Sequence, residues 1–361
     1  MSFYTFQDIA ITGLASAVPK KSVKTVSFGS KFGSDVVDAF RVKSGIESMH
    51  ISSIDQTASD LGYEAAFALL DKKQIDLTDI GCIIFVSRTP DYRSPATAAV
   101  LHKRLNLSVD CIAYDINMGG AGFVYGLQMG CSILDEINKS YAIVVVGDTN
   151  SKQISGENQL SMAMGDGASA ILLEKKHGAA PIYINTQAIG NGFDAFIHAE
   201  GGFRIPADRE YTQDTIHANK AIIDTLEINE TAMNSFIINE IPSTITKLVS
   251  KLNTTLEQYD FVALQQENEF VLKQIAEKLN ITFEELPVNY QNFGNTSGNS
   301  IPLLLVDKLA NQEQREIKIL ACGFGEGFSS GVVAFTIDTS DILPLIKTDN
   351  YYEEGAVSHI F

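Results

Sequence analysis

The sequence predicts an α/β protein built from two fused halves, each a sheet covered by helices. Three observations lead there. The chain has 361 residues, more than one hydrophobic core usually fills. Strand-like and helix-like stretches alternate along it, the pattern of sheets covered by helices. The stretches "CIIFV", "YAIVVVG" and "IKILACG" are apolar throughout, as strands buried on both faces must be.

The elements justify this in order. "DIGCIIFVSRTPDYRSPATAAVLHKRLNL" reads as a β-branched strand, a loop of turn residues and a helix ending in Lys103 and Arg104. "VDCIAYDINMGGAGFVYGLQMG" reads as a strand, a Gly/Asn turn and an apolar helix, and in "MGDGASAILLE" glycines lead into a strand. The same three units return later in the same order. "YDFVALQQENEFVLKQIAEKLNI" is a strand, a polar turn and a helix with apolar Phe270, Val271, Ile275 and Leu279. "LPVNYQNFGNTSGNSIPLLLVDKL" is again strand, Gly/Asn turn and apolar helix, and "CGFGEGFSSGVVAF" again leads glycines into a strand. Three ordered pairs point to an internal duplication joined after Leu173–Lys176, hence halves at 1–176 and 177–361.

Composition narrows the function classes. Apolar residues make up 45% of the chain, ample for a large core and far from disorder. A net charge of -17 argues against nucleic acid and anionic membranes as partners. It also makes the chain a poor host for an acidic carrier. No run approaches the ~18 apolar residues of a membrane span, and "MSFYTFQDIA" has no basic segment ahead of an apolar run. Cys82, Cys111, Cys131 and Cys322 show no metal spacing, and the six histidines form no cluster. The expectation is a cytoplasmic protein with reduced thiols, no metal and no cofactor.

The stretch "YDINMGGAGFVYGLQ", Tyr114 to Gln128, is a strand end, a glycine-rich turn and the start of a helix. Such a turn is where enzymes mount a nucleophile, because the helix N-terminus favours a thiolate or an oxyanion. Here its apex is Gly119 and Gly120, which carry no side chain.

At these residues the chain resembles the β-ketoacyl-acyl-carrier-protein synthase III family of the thiolase-fold superfamily, over nearly its whole length. "ITGLASAVPKKSV" is similar to that family's first strand and loop. "SGIESMHI" resembles its Thr-Gly-Ile-x-x-Arg segment, "GDGASAILL" its Gly-Asp-Gly-Ala-x-Ala strand, and "GNTSGNS" its Gly-Asn-Thr-Ser motif. The resemblance implies a thiolase-like, five-layered αβαβα fold and a dimer.

It also marks departures. The family's turn reads Ala-Cys-x-Gly-Phe, and its Cys takes the acyl group; "GGAGF" puts Gly120 there. The family's His-Gln-Ala-Asn motif falls on "QQEN", which puts Gln265 at the His. The family's Asn is retained as Asn295. A Cys stores the acyl chain as a thioester, which glycine cannot do. Gln265 can donate a hydrogen bond but cannot carry a proton. The backbone N–H groups of Gly120 and Gly327 are the expected oxyanion donors. As substitute nucleophiles, Cys111 and Cys131 read as core residues, and Thr296 and Ser297 as turn-capping residues. No base is evident in the QQEN segment.

Docking positions change as well. The family's basic carrier-docking residue matches Phe270, with Glu267 and Glu269 beside it, so an acidic carrier would meet like charge. The Trp that stacks coenzyme A's adenine matches Ala39, next to Phe40, in a chain with no Trp. In the family the loop after the Cys82 strand lines the partner's tunnel. That loop is "SRTPDYRSPATAAVL", with Ser94 at the facing position and Tyr92 nearby.

Two roles follow from the resemblance. The first is a non-catalytic subunit paired with an active synthase III-like chain in fatty-acid or polyketide-type biosynthesis. The second is an acyltransferase or decarboxylase that acts on an acyl-coenzyme A or acyl-carrier thioester without a covalent intermediate, through Asn295, Gln265 and the backbone donors. Partners are a second copy or an active synthase, and an acyl-carrier protein.

Overall fold

The computed structural model describes residues 2–154, 156–199, 202–205 and 226–353. Two mixed sheets stack with helices between and outside them. Among the described residues the first has six strands, in the spatial order Ile346–Thr348, Ile9–Pro19, Asp166–Lys175, Tyr141–Thr149, Ile80–Val86 and Ile112–Ile116. The second has five: Ser2–Phe6, Ile182–Ala188, Ser329–Asp338, Glu316–Gly325 and Phe261–Leu264.

Both sheets share one internal order. Ile9–Pro19 runs antiparallel to Asp166–Lys175, which is antiparallel to Tyr141–Thr149, which is parallel to Ile80–Val86. Ile182–Ala188, Ser329–Asp338, Glu316–Gly325 and Phe261–Leu264 repeat those relations. The strand expected at the start of "LPVNYQNF" does not form. Pro287 has no N–H for a ladder, and the N–H of Asn289 goes instead to the side-chain Oε1 of Gln266 at 2.9 Å.

The outer edges are exchanged. Ser2–Phe6 from the chain's start pairs with Ile182–Ala188 in the second sheet. Ile346–Thr348 from near its end pairs with Ile9–Pro19 in the first.

The helices Gly122–Glu136 and Ser300–Leu309 lie between the sheets. Their Phe123, Leu127, Leu134, Ile301, Leu304 and Leu309 share one core with strands of both sheets. A helix in that layer must be apolar nearly all round, and these are. Ala58–Lys73 and Thr97–Arg104 cover the outer face of the first sheet, and Glu230–Lys251 and Glu269–Leu279 that of the second. The five layers αβαβα are complete.

Local chemistry fixes the ends of these helices. Thr57 and Asp60 form a capping box at the start of Ala58–Lys73. Asn268 caps Glu269–Leu279 by accepting from the N–H of Val271 at 3.0 Å. On that helix Val271, Leu272, Ile275 and Leu279 are buried, whereas Phe270 is 42% exposed. Val271, Ile275 and Leu279 thus lie in the core as expected, while Leu272 rather than Phe270 completes the buried stripe. No helix among the described residues is long and apolar enough to cross a membrane.

Candidate active site

The strand Ile112–Ile116 delivers the chain to the glycine turn, and the helix Gly122–Glu136 leaves it. Against the turn lies the end of Glu316–Gly325. A Cβ built on Gly120 would lie 2.9 Å from the carbonyl carbon of Phe324 and 3.3 Å from Cδ of Gln265, with the Phe324 carbonyl oxygen nearer still. Gly120 is not left-handed; what it lacks is room. A Cβ on Gly325 would lie 2.9 Å from the Gly120 nitrogen, and one on Gly323 2.7 Å from the Gly120 oxygen. Backbone therefore packs on backbone where a nucleophile would stand, the close approach that only glycine permits.

Gly119 has a different reason. A Cβ there would lie 2.7 Å from Glu326 Oε1 and 2.8 Å from Arg88 Nε. The Arg88–Glu326 ion pair, at 2.6 Å, rests directly on it. Arg88 also donates to Asn150 Oδ1 at 2.7 Å, and its guanidinium lies 3.9 Å from Asp148.

Gln265 follows the strand Phe261–Leu264, its N–H bonded to the carbonyl of Cys322 at 2.9 Å. Its Oε1 accepts from Ser300 Oγ at 2.6 Å, and its Nε2 donates to Asn295 Oδ1 at 3.4 Å. That Oδ1 also accepts from the N–H of Ser297 at 2.8 Å. Asn295 Nδ2 donates to Glu267 Oε2 at 2.8 Å. Gly120, Gln265 and Asn295 thus come together. Gly327, at φ 65° in the turn Glu326–Phe328, has open space beside it. Tyr92 and Ser94 lie on the loop before Thr97–Arg104, Tyr92 half-buried and Ser94 exposed.

Glu267 is the residue the sequence misplaced. It does not stand with Phe270 on the docking surface but turns inward, half-buried, to the wall of the cleft beside Asn295. Burial and then the charge of Glu326 push its carboxyl up to about 7, against Arg88 and the Asn295 hydrogen bond. A signal was available. The matching family motif has Ala at this position, so a carboxylate here departs from a place where the family keeps a small apolar side chain. Glu326, between two glycines, gave the same kind of signal.

No thiol replaces the missing nucleophile. All four cysteines are buried, and burial pushes Cys111 up to about 11 and Cys82 up to about 12.

A cleft of about 1070 Å³ opens beside these groups. Its lining runs from exposed Ala39 and half-buried Phe40 to Asn295 and Glu267. Such a space can hold an extended thioester with its carbonyl at the Asn295 amide, which the buried Gln265 supports from behind.

Comparison with known proteins agrees with this architecture. Residues 114–192 match the family model for 3-oxoacyl-[acyl-carrier-protein] synthase III, and residues 249–337 match the one for its C-terminal part. The chain is similar to the β-ketoacyl-[acyl-carrier-protein] synthase III of Latilactobacillus sakei, 30% identical over 80% of this chain and 88% of that one. It is 28% identical to the enzyme of that name from Limosilactobacillus reuteri, over 91% of this chain and 98% of that one. A crystal structure of a 3-oxoacyl-(acyl-carrier protein) synthase from Burkholderia xenovorans superposes with a TM-score of 0.88 at 29% identity, covering 96% of this chain and 99% of the other.

Proposed function

Because the chain belongs to the β-ketoacyl-[acyl-carrier-protein] synthase III family, we propose that its cleft takes an acyl thioester whose acyl group never becomes bonded to the protein. One observation carries this. Asn295 lines the inner end of the cleft and is hydrogen-bonded to the buried amide of Gln265, beside a turn with no room for a nucleophile. The amides and the N–H of Gly327 polarise the carbonyl, and a second substrate attacks it directly. Family membership supports a role in fatty-acid or polyketide-type biosynthesis, with coenzyme A or a carrier protein as the thioester's donor.

Intact-mass spectrometry after incubation with a panel of acyl-coenzyme A species tests this. The expected result is no adduct together with release of free thiol when an acceptor is present. A stable adduct on residues 114–128 would sink it.

A second reading has its own support. Filling of the nucleophile position by the Phe324 backbone also suits a non-catalytic subunit that shapes the tunnel of an active synthase. The first-sheet edge strand Ile112–Ile116, half-buried with Ile112 41% exposed, offers a surface for that contact. Native mass spectrometry of the complex purified from its source distinguishes the two readings. A stoichiometric synthase partner favours the subunit.

A further inference from the structure

We infer that Glu267 is the proton acceptor of this site and that the acyl acceptor it serves is a neutral hydroxyl or an amine. The inference rests on the direct-transfer reading above and adds the acid–base group and the class of second substrate.

The geometry comes first. Glu267 Oε2 is fixed by Asn295 Nδ2 at 2.8 Å, so the carboxyl is held against the same amide that would face the thioester carbonyl. Both residues line the cleft. A group that accepts a proton from an attacking nucleophile must stand within one hydrogen bond of it, and this carboxyl stands where the attacking atom would arrive.

The surrounding charge selects the acceptor. Near the carboxyl stand Glu326 and Arg88, and Arg88 is already engaged by Glu326 at 2.6 Å and by Asp148 behind it. The cleft wall adds Lys43, Glu157 and Glu230. On the wall Glu157 pairs with Lys31 at 2.8 Å and Glu230 with Lys43 at 3.7 Å, so the excess of carboxylates lies at the inner end, where Glu267, Glu326 and Asp148 stand around Arg88. A malonyl-type acceptor brings its own carboxylate and passes through an enolate, and both meet like charge here. A hydroxyl or an amine brings instead a proton that a carboxylate can take.

The step balances without any further reactant. The acceptor X–H loses its proton to Glu267 as its lone pair attacks the thioester carbon, and the X–C bond forms. The C–S bond then breaks, the thiolate takes the proton back from Glu267, and the products are acyl-X and free thiol. The active form is the carboxylate. Since burial and Glu326 hold the proton on to about pH 7, the rate rises with pH through neutrality.

The test mixes the full chain with acetyl- or butyryl-coenzyme A and ethanolamine, which offers both acceptor groups, and measures thiol release and product mass from pH 5 to 9. The expected result is acylated ethanolamine, with a rate that climbs to a plateau. Glu267→Gln keeps an oxygen for Asn295; it should lower the rate by ~100-fold or more and flatten the pH profile, while calorimetric binding of acetyl-coenzyme A persists. An equal rate in Glu267→Gln, or an unmoved pH profile, overturns the inference. So does carbon dioxide release from malonyl-coenzyme A, which would assign the other acceptor class. Donor binding with no turnover in ethanolamine, glycerol or water overturns it and leaves the subunit reading standing. Absence of donor binding removes the thioester reading beneath it as well.

Discussion

Gly120→Ala tests directly why the turn carries no nucleophile. The new methyl would lie 2.9 Å from the carbonyl carbon of Phe324, whereas carbon atoms in good contact sit ~3.5–4.0 Å apart. Something must therefore withdraw by at least roughly 0.6 Å, and by more to clear the nearer Phe324 oxygen. The Phe324 peptide is poorly placed to do so. It pairs with Ser330 in the ladder, and the neighbouring carbonyl of Cys322 is tied to Gln265. Gly323 and Gly325 pack on the Gly120 peptide from either side. Overpacking with backbone movement costs ~1–3 kcal/mol and sometimes more, so we expect about 3 kcal/mol. At the usual unfolding entropy per residue, that lowers the Tm of a chain this long by about 4 °C. Gly190→Ala is the control, because its methyl meets nothing within 4 Å; it should stay within ~0.5 kcal/mol of the parent. Thermal melts of the three proteins decide the matter. If Gly120→Ala melts with Gly190→Ala, the site is not filled as described. Gly120→Cys with Gln265→His should stay unacylated for the same reason. An acyl adduct on that double variant would count against the packing argument.

Three further outcomes are expected. Glu267 titrates near 4.5 when unfolded and near 7 when folded. The native state therefore holds the extra proton between those values, and stability falls as pH rises through that window, by at most about 3 kcal/mol. Glu267→Gln should gain on the parent between pH 5 and pH 8, and a gap equal at both in thermal melts would contradict the assignment. Asn295→Ala leaves Glu267 Oε2 without its donor, costing ~1–3 kcal/mol. It removes a contact that holds the carboxyl's pKa down, so the midpoint of the pH–rate profile should move up; a midpoint that stays or falls refutes this. Sedimentation at micromolar concentration should give a dimer or a heterodimer burying more than ~1,600 Å², and a monomer with no partner co-purifying would refute it.

The layered fold was legible because burial on both faces leaves continuous apolar strands, and the duplicated punctuation lies in the chain itself. The exchanged edge strands were not, since "SFYTF" carries no mark of which sheet will accept it. Asn295 and Gln265 could be located from "GNTS" and "QQEN", through their resemblance to the family's motifs. The direction of Glu267 was marked only by a carboxylate where the family's motif has Ala, because a turn of "QQEN" presents successive side chains to opposite surroundings. The two glycines announced a missing side chain. That an ion pair and a peptide carbonyl occupy the space depends on Arg88 and Phe324, each far from the turn in sequence.

The edge exchange has a consequence for synthesis on the ribosome. Phe6 pairs with Ile182, so the first strand made must wait for one that emerges about 176 residues later, roughly 10–35 s at ordinary elongation rates. The outer edge of Ile9–Pro19 stays open longer still, until Ile346–Thr348 appears near the chain's end. Through that interval the nascent chain displays apolar edges able to pair with any neighbour. A ribosome that stalls after Lys176 holds a half-protein with Ser2–Phe6 idle and Ile9–Pro19 uncovered, a natural client for a chaperone.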